Sequence, residues 1–152
     1  MVVDGGDSAF PAGHDYDYYE ISALFMAQRG LSILVADDQA FVSQPLSLVL
    51  TRAGHRVRIV SDGRQALQVL SSNPAAFDVL ITDQEMPELT GMELVKKLRE
   101  ENLFKGRIIV LSGSVSNAQQ ETFLALGVSA ILQKPFDAAE VLGALQDHIT
   151  GD

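Results

Sequence analysis

The sequence predicts an α/β domain in which a mostly parallel, five-stranded sheet is covered by helices on both faces. Three observations carry the expectation. Short apolar runs recur from Leu31 onward, starting roughly 20–30 residues apart, which leaves room for a crossover helix each time. These runs are nearly continuous in Val, Ile, Leu and Ala rather than alternating, as strands buried on both faces are. The segments between them place apolar residues at helical spacing and carry helix start and stop residues.

The strands are expected at Ser32–Ala36 (SILVA), 57–60 (VRIV), 78–82 (DVLIT), 107–111 (RIIVL) and Ala130–Gln133 (AILQ), all reading as buried. The first helix is expected over 41–53, with Val42, Leu46, Val49 and Leu50 on one face and Gly54 as its stop. Pro45 suits it only if the helix begins near Phe41, because proline has no N–H for the carbonyl four residues back. A second helix, 64–70, follows Asp62-Gly63. Thr90-x-x-Glu93 is a capping box opening a helix over Gly91–Glu100, and Ser116-x-x-Gln119 opens another that runs to Leu126 and stops at Gly127. Asp137-x-x-Glu140 starts the last helix, whose Val141, Leu142, Leu145 and Ile149 form an apolar face. Strand then helix, five times over, is a parallel sheet wound on both sides.

The chain of 152 residues suits one domain with an appendage. Residues 1–14, rich in Gly and Asp, read as a disordered leader. Over 15–30 an extra helix or linker is expected. Asp15 would cap a helix over 16–28, Tyr18, Ile21, Leu24 and Phe25 would form an apolar stripe, and Gly30 would stop it. Hydrophobic residues make up 47% of the chain, enough for a single core. No apolar run approaches the roughly 20 residues of a membrane span, and no secretory signal opens the chain. With no cysteine there is neither a disulfide framework nor a thiolate metal site, and a cytoplasmic location is expected. A net charge of -9 with only 11 Lys and Arg argues against direct nucleic-acid binding.

In open α/β sheets ligands sit beyond the carboxyl ends of the strands. Those positions hold Asp37 and Asp38 after the first strand, Asp83 at the end of the third, Ser112 at the end of the fourth and Lys134 at the end of the fifth. Each has an ordinary explanation when taken singly. The acidic pair would cap a helix, Asp83 would close a turn ahead of Met86-Pro87, Ser112 would be a loop hydroxyl and Lys134 a solvated charge. Their joint placement favours a site. Packed carboxylates repel unless a cation intervenes, and Mg²⁺ takes carboxylate oxygens while keeping waters that a phosphate can displace. A lysine and a hydroxyl beside it would complete a shell for a phosphoryl group.

The runs ILVADD (33–38), ITDQEMPELTGMEL (81–94), IIVLSG (108–113) and QKPF (133–136) resemble the signature segments of two-component response-regulator receiver domains. The resemblance covers residues 31–150, taken as the receiver domain. It implies a flavodoxin-like fold with strand order 2-1-3-4-5 and a phosphorelay switch, one that turns over no external substrate, in which Asp83 takes a phosphoryl group. It further implies that Asp38, Asp83 and the backbone carbonyl of Glu85 bind Mg²⁺ directly, with Asp37 acting through water. Lys134 and Ser112 would contact the phosphoryl group, Pro87 and Gly91 would shape the loop beside Asp83, and the Lys134-Pro135 bond is often cis in such domains. Two positions depart from the pattern. Ile131 stands where receivers often carry an aromatic switch residue, and Glu85 adds a carboxylate two residues past Asp83 that would hinder or orient an attacking water.

The implied partners are a histidine kinase or a histidine phosphotransfer protein. A homodimer through the fourth helix, fifth strand and fifth helix, or through the N-terminal helix, is also expected. Because Asp152 directly follows the last helix, the expectation is a stand-alone receiver or one belonging to a hybrid histidine kinase. A Mg²⁺-dependent aspartyl-phosphate hydrolase of the dehalogenase-like kind wants Asp-x-Asp, where this chain has Asp37-Asp38-Gln39. A non-phosphorylated interaction module would not need Asp38, Asp83 and Lys134 intact. A flavin protein of similar topology would want a phosphate-binding loop where the two acids stand.

Overall fold

The computed structural model describes residues 30–150, apart from the side chains of 147–150. The expected leader and N-terminal helix therefore lie outside the described residues. Five strands, β1 (Ser32–Ala36), β2 (Arg56–Val60), β3 (Val79–Asp83), β4 (Arg107–Ser112) and β5 (Ala130–Gln133), alternate with α1 (Ala40–Arg52), α2 (Gly63–Ser72), α3 (Gly91–Glu100), α4 (Asn117–Ala125) and α5 (Ala138–Thr150). A single 3₁₀ turn, Pro74–Ala76, precedes β3. All strand pairs are parallel, in the order β2-β1-β3-β4-β5. The fold expected from the resemblance is the fold observed.

The strand alternation sorts two cores onto opposite faces of the sheet. Ile33 and Val35 of β1, with Val79, Ile81, Ile109 and Leu111, pack on Leu46 and Leu50 of α1 and Val141 and Leu145 of α5. Leu34, Ala36, Leu80, Ile108 and Val110 face the other way, onto Ala66 and Leu70 of α2, Leu94, Val95 and Leu98 of α3, and Phe123 of α4. The central strands are buried on both faces, which is why their sequences are continuously apolar. Two strands read as buried are not. In β2 only Val60 is buried while Arg58 and Ile59 are exposed, and β5 is half-buried from Ala130 to Leu132 with Gln133 exposed. Both are edge strands with a neighbour on one side only.

Helix ends follow local chemistry. Thr90 and Ser116 form reciprocal capping boxes with Glu93 and Gln119, and Asp137 and Glu140 exchange the same pair of bonds. Asp62 Oδ1 accepts from the Gln65 N–H at 2.8 Å and caps α2. Gly54 (φ 99°) and Gly127 (φ 79°) adopt the left-handed conformation that ends α1 and α4. Helix α1 begins at Ala40, so Pro45 sits inside it, where its missing N–H falls opposite the carbonyl of the exposed Phe41. The side chains of Asp37 and Asp38 do not cap this helix. Its N-cap is Gln39, whose carbonyl accepts from the Val42 and Ser43 N–H groups. Among the described residues no helix is long and apolar enough to cross a membrane.

Candidate functional site

Asp37, Asp38, Asp83 and Lys134 converge at the carboxyl edge of the sheet. Asp37 follows β1, its own N–H bound to the Val60 carbonyl of β2. Its Oδ1 accepts from the Gln39 N–H at 2.9 Å, which turns the chain into α1. Asp37 is buried, whereas Asp38, one residue on, is exposed. Asp83 ends β3 and is 1% exposed, with its neighbour Thr82 bonded to the Asp83 carbonyl at 2.9 Å. One oxygen from each of the three carboxylates lies within 4.8 Å of the others. Lys134, just after β5, brings Nζ to 3.1 Å from Asp83 Oδ1 and 3.7 Å from Asp37 Oδ2. The Lys134-Pro135 bond is cis, as the resemblance implied.

Burial pushes the carboxyls of Asp37 and Asp83 above their ordinary value. Like charge adds to this, from Asp38 on Asp37 and from Asp37 on Asp83, and the Lys134 ammonium offsets only part of it. One lysine facing three acids leaves the edge short of positive charge. Asp37 Oδ2 makes the same point at one atom, being buried with no hydrogen-bond partner and only the ammonium 3.7 Å away. The donor set, all carboxylate oxygens with one of the three residues open to solvent, suits a hard divalent cation that keeps part of its water shell.

The loop after Asp83 is also held by Gln84, a residue with no motif to mark it. Gln84, itself buried, accepts from the Gly91 N–H through its carbonyl at 3.0 Å and from the Met92 N–H through Oε1 at 2.8 Å. It thereby ties the start of α3 to the residue after Asp83. A glutamine beside an acid gives no sequence signal for that task. A Cβ at Gly91 would lie 2.6 Å from the Asp83 carbonyl oxygen, so the expected loop-shaping glycine is one that allows a close approach. Pro87 is exposed, its carbonyl accepting from the Leu89 N–H at 2.7 Å, and Glu88 takes φ 67°.

Ser112 ends β4 buried and stands at the same edge. Its hydroxyl contacts the Glu85 carboxylate at 3.1 Å and the Ser114 carbonyl at 2.9 Å. The Glu85 side chain, flagged in the sequence for its proximity to Asp83, thus reaches across to β4. Ile131 is half-buried and lines a cavity of about 340 Å³ with Ser112, Gly113, Ser114, Val115, Gln120 and Gln133.

A doubly wound parallel domain with a carboxylate cluster and a lysine at its strand ends is an arrangement compatible with a hard cation and an anion bound beside it. The model of the response regulator receiver domain family matches residues 33–146, and this chain belongs to that family. It is 35% identical over 119 residues to a chemotaxis protein CheY homolog of Campylobacter jejuni, covering 77% of this chain and 91% of that protein. It is 33% identical to the response regulator GtcR of Aneurinibacillus migulanus, of which it spans 47%, with 78% of this chain covered. Among solved structures it resembles the receiver domain of the sensor histidine kinase PA1611 of Pseudomonas aeruginosa, with TM-score 0.69 and 30% identity, covering 79% of this chain and 98% of that one. That structure has a magnesium ion coordinated in its active-site cleft. The chain is therefore a receiver domain of two-component signalling, with an acidic pocket compatible with Mg²⁺.

Proposed function

We propose that Asp83 accepts a phosphoryl group from a phosphohistidine and that this shifts the conformation of the domain. The observation that carries the reading is the Asp83 carboxylate, buried at the end of β3 and paired with Lys134 at 3.1 Å inside a three-carboxylate cluster. In the transfer an Asp83 oxygen forms a bond to phosphorus as the donor's N–P bond breaks, and the departing imidazole nitrogen keeps the electron pair. Asp38, Asp83 and the Glu85 backbone carbonyl are the groups that would hold Mg²⁺ directly, with Asp37 acting through a water. When bound, the ion supplies neutralisation of the phosphoryl oxygens. Lys134 draws one phosphoryl oxygen and steadies the negative charge. Ser112 gains a bond to the phosphoryl group only after transfer, the differential interaction a population shift needs. The short Ile131 side chain has no polar tip to carry that change outward, so the rearrangement there is small.

The donor is a histidine kinase or a histidine phosphotransfer protein, in the cytoplasm. The response leaves through the face of α4, β5 and α5, where Leu124 is exposed and offers an apolar contact for a partner or a second copy. The domain is a switch and turns over no external substrate. Intact mass measured after acetyl phosphate and Mg²⁺ is expected to rise by one phosphoryl group, and EDTA is expected to suppress the rise. Undiminished labelling of Asp83→Asn refutes the assignment.

A further inference from the structure

The Glu85 side chain is exposed, yet its carboxylate does not simply face water. Oε2 lies 3.1 Å and Oε1 3.4 Å from Ser112 Oγ, and Oε1 also lies 3.4 Å from the Gly113 nitrogen. Two donors at the end of β4, a hydroxyl and a backbone N–H, therefore meet one anion. The Ser112 hydroxyl has a single proton and a second acceptor in reach, the Ser114 carbonyl at 2.9 Å, while the Ser114 N–H donates to Oγ at 3.2 Å. A charged acceptor makes roughly twice as strong a bond as a neutral one, so the carboxylate is the better claimant for that proton. Ser112 is buried, and of its oxygen's three partners only Glu85 comes from outside its own loop.

We infer that Glu85 is a built-in placeholder for the phosphoryl anion. Its carboxylate occupies the Ser112–Gly113 donor pair at rest, and the switched state forms only when it leaves. The inference rests on the reading of Asp83 as acceptor and Ser112 as the group that turns to the phosphoryl oxygen. A phosphoryl group and a carboxylate are both anions and cannot share two donors without strong repulsion. The displaced Glu85 has solvent to move into, so its release is inexpensive, and the strength of its hold sets the ease with which the domain switches.

Beryllofluoride with Mg²⁺ serves as the phosphoryl mimic, titrated into the full chain while the Gly113 amide is followed by NMR. Glu85→Asp keeps the charge but draws the carboxylate back by about one C–C bond, roughly 1.5 Å, beyond hydrogen-bond reach of Ser112. Glu85→Ala removes charge and reach together. Both variants are expected to tighten beryllofluoride binding by about three- to tenfold, the scale of one or two modest hydrogen bonds lost from the resting state. The gain from Glu85→Asp should shrink by at least half in a Ser112→Ala background. In the ligand-free protein the Gly113 amide proton should move upfield in Glu85→Asp. If Glu85→Asp binds as the wild type does and only Glu85→Ala gains, the effect is general repulsion and the placeholder is overturned. An unmoved Gly113 amide overturns it too. A wild type that takes up no beryllofluoride overturns instead the reading of Asp83, and the ligand-free amide still decides whether Glu85 holds the donor pair.

Discussion

Gly91→Ala tests whether the close approach of α3 to the acidic edge is needed there. The added Cβ would sit 2.6 Å from the Asp83 carbonyl oxygen, 2.9 Å from Gln84 Cα and 2.9 Å from Gln84 Oε1. Two of these three atoms are backbone and cannot rotate away. Reaching an ordinary C···O contact of about 3.3 Å requires α3 and the end of β3 to part by about 0.7 Å. That movement stretches both bonds that Gln84 makes to α3, from Gly91 N–H at 3.0 Å and Met92 N–H at 2.8 Å. Overpacking of this kind costs about 1–3 kcal/mol. Alanine's better helix propensity returns at most about 1 kcal/mol, and less in the first turn. The clash wins, leaving a net loss of about 1–2 kcal/mol, a fall in Tm of roughly 4–8 °C. Because the displaced atoms belong to Asp83 and its neighbour, Mg²⁺ affinity should fall as well. Thermal unfolding with a Mg²⁺ titration measures both. A variant melting at or above the wild type with unchanged Mg²⁺ affinity would refute the argument.

Three further outcomes follow from the electrostatics. Asp37→Asn, measured without Mg²⁺, should stabilise the domain at neutral pH by about 1 kcal/mol, a usual scale for single substitutions. Burial raises the Asp37 carboxyl in the fold, so its ionised form opposes folding above that raised value. The advantage of Asn should shrink as pH falls through the folded value towards the ordinary 3.8, and urea unfolding at pH 7.5 and 4.5 would reveal it. Lys134→Met should act in the opposite sense, destabilising by about 1–3 kcal/mol without Mg²⁺ because Asp83 and Asp37 lose the ammonium between them. Added Mg²⁺ should restore more stability to this variant than to the wild type, and an equal response in calorimetry would contradict the shared role of lysine and metal. Arg99→Met should cost about 2–4 kcal/mol in urea unfolding, because the half-buried guanidinium donates to the Leu126, Phe104 and Gly106 carbonyls at 2.8–3.0 Å and the change leaves these acceptors without it.

Fold class, and the edge of the sheet on which the candidate site lies, are legible in the order of residues. Each central strand is a continuous apolar run because it is buried on both faces, and the helices α2 to α5 each open on a side-chain cap written within a few residues. Given a parallel sheet, the residues that end or follow its strands lie at the carboxyl edge, which gathers Asp37, Asp38, Asp83, Ser112 and Lys134 from the sequence pattern. Those signals are local, and they survive in one dimension.

What those residues touch depends on how the elements pack. Nothing local distinguishes Asp37 from Asp38, yet the turn into α1 buries one and exposes the other. Strands β2 and β5 have Arg56, Arg58 and Gln133 among their apolar residues, but that they are the edges is fixed only by the sheet order. Gln84 acquires its task because α3 returns to lie against the end of β3, and Arg99 because the loops before β4 and β5 pass its guanidinium. Glu85 meets Ser112 across 27 residues of chain, a contact that exists because β3 and β4 are neighbours in register. A hydrogen bond depends on tenths of an ångström between groups far apart in the chain, and only the packing of the elements sets such distances.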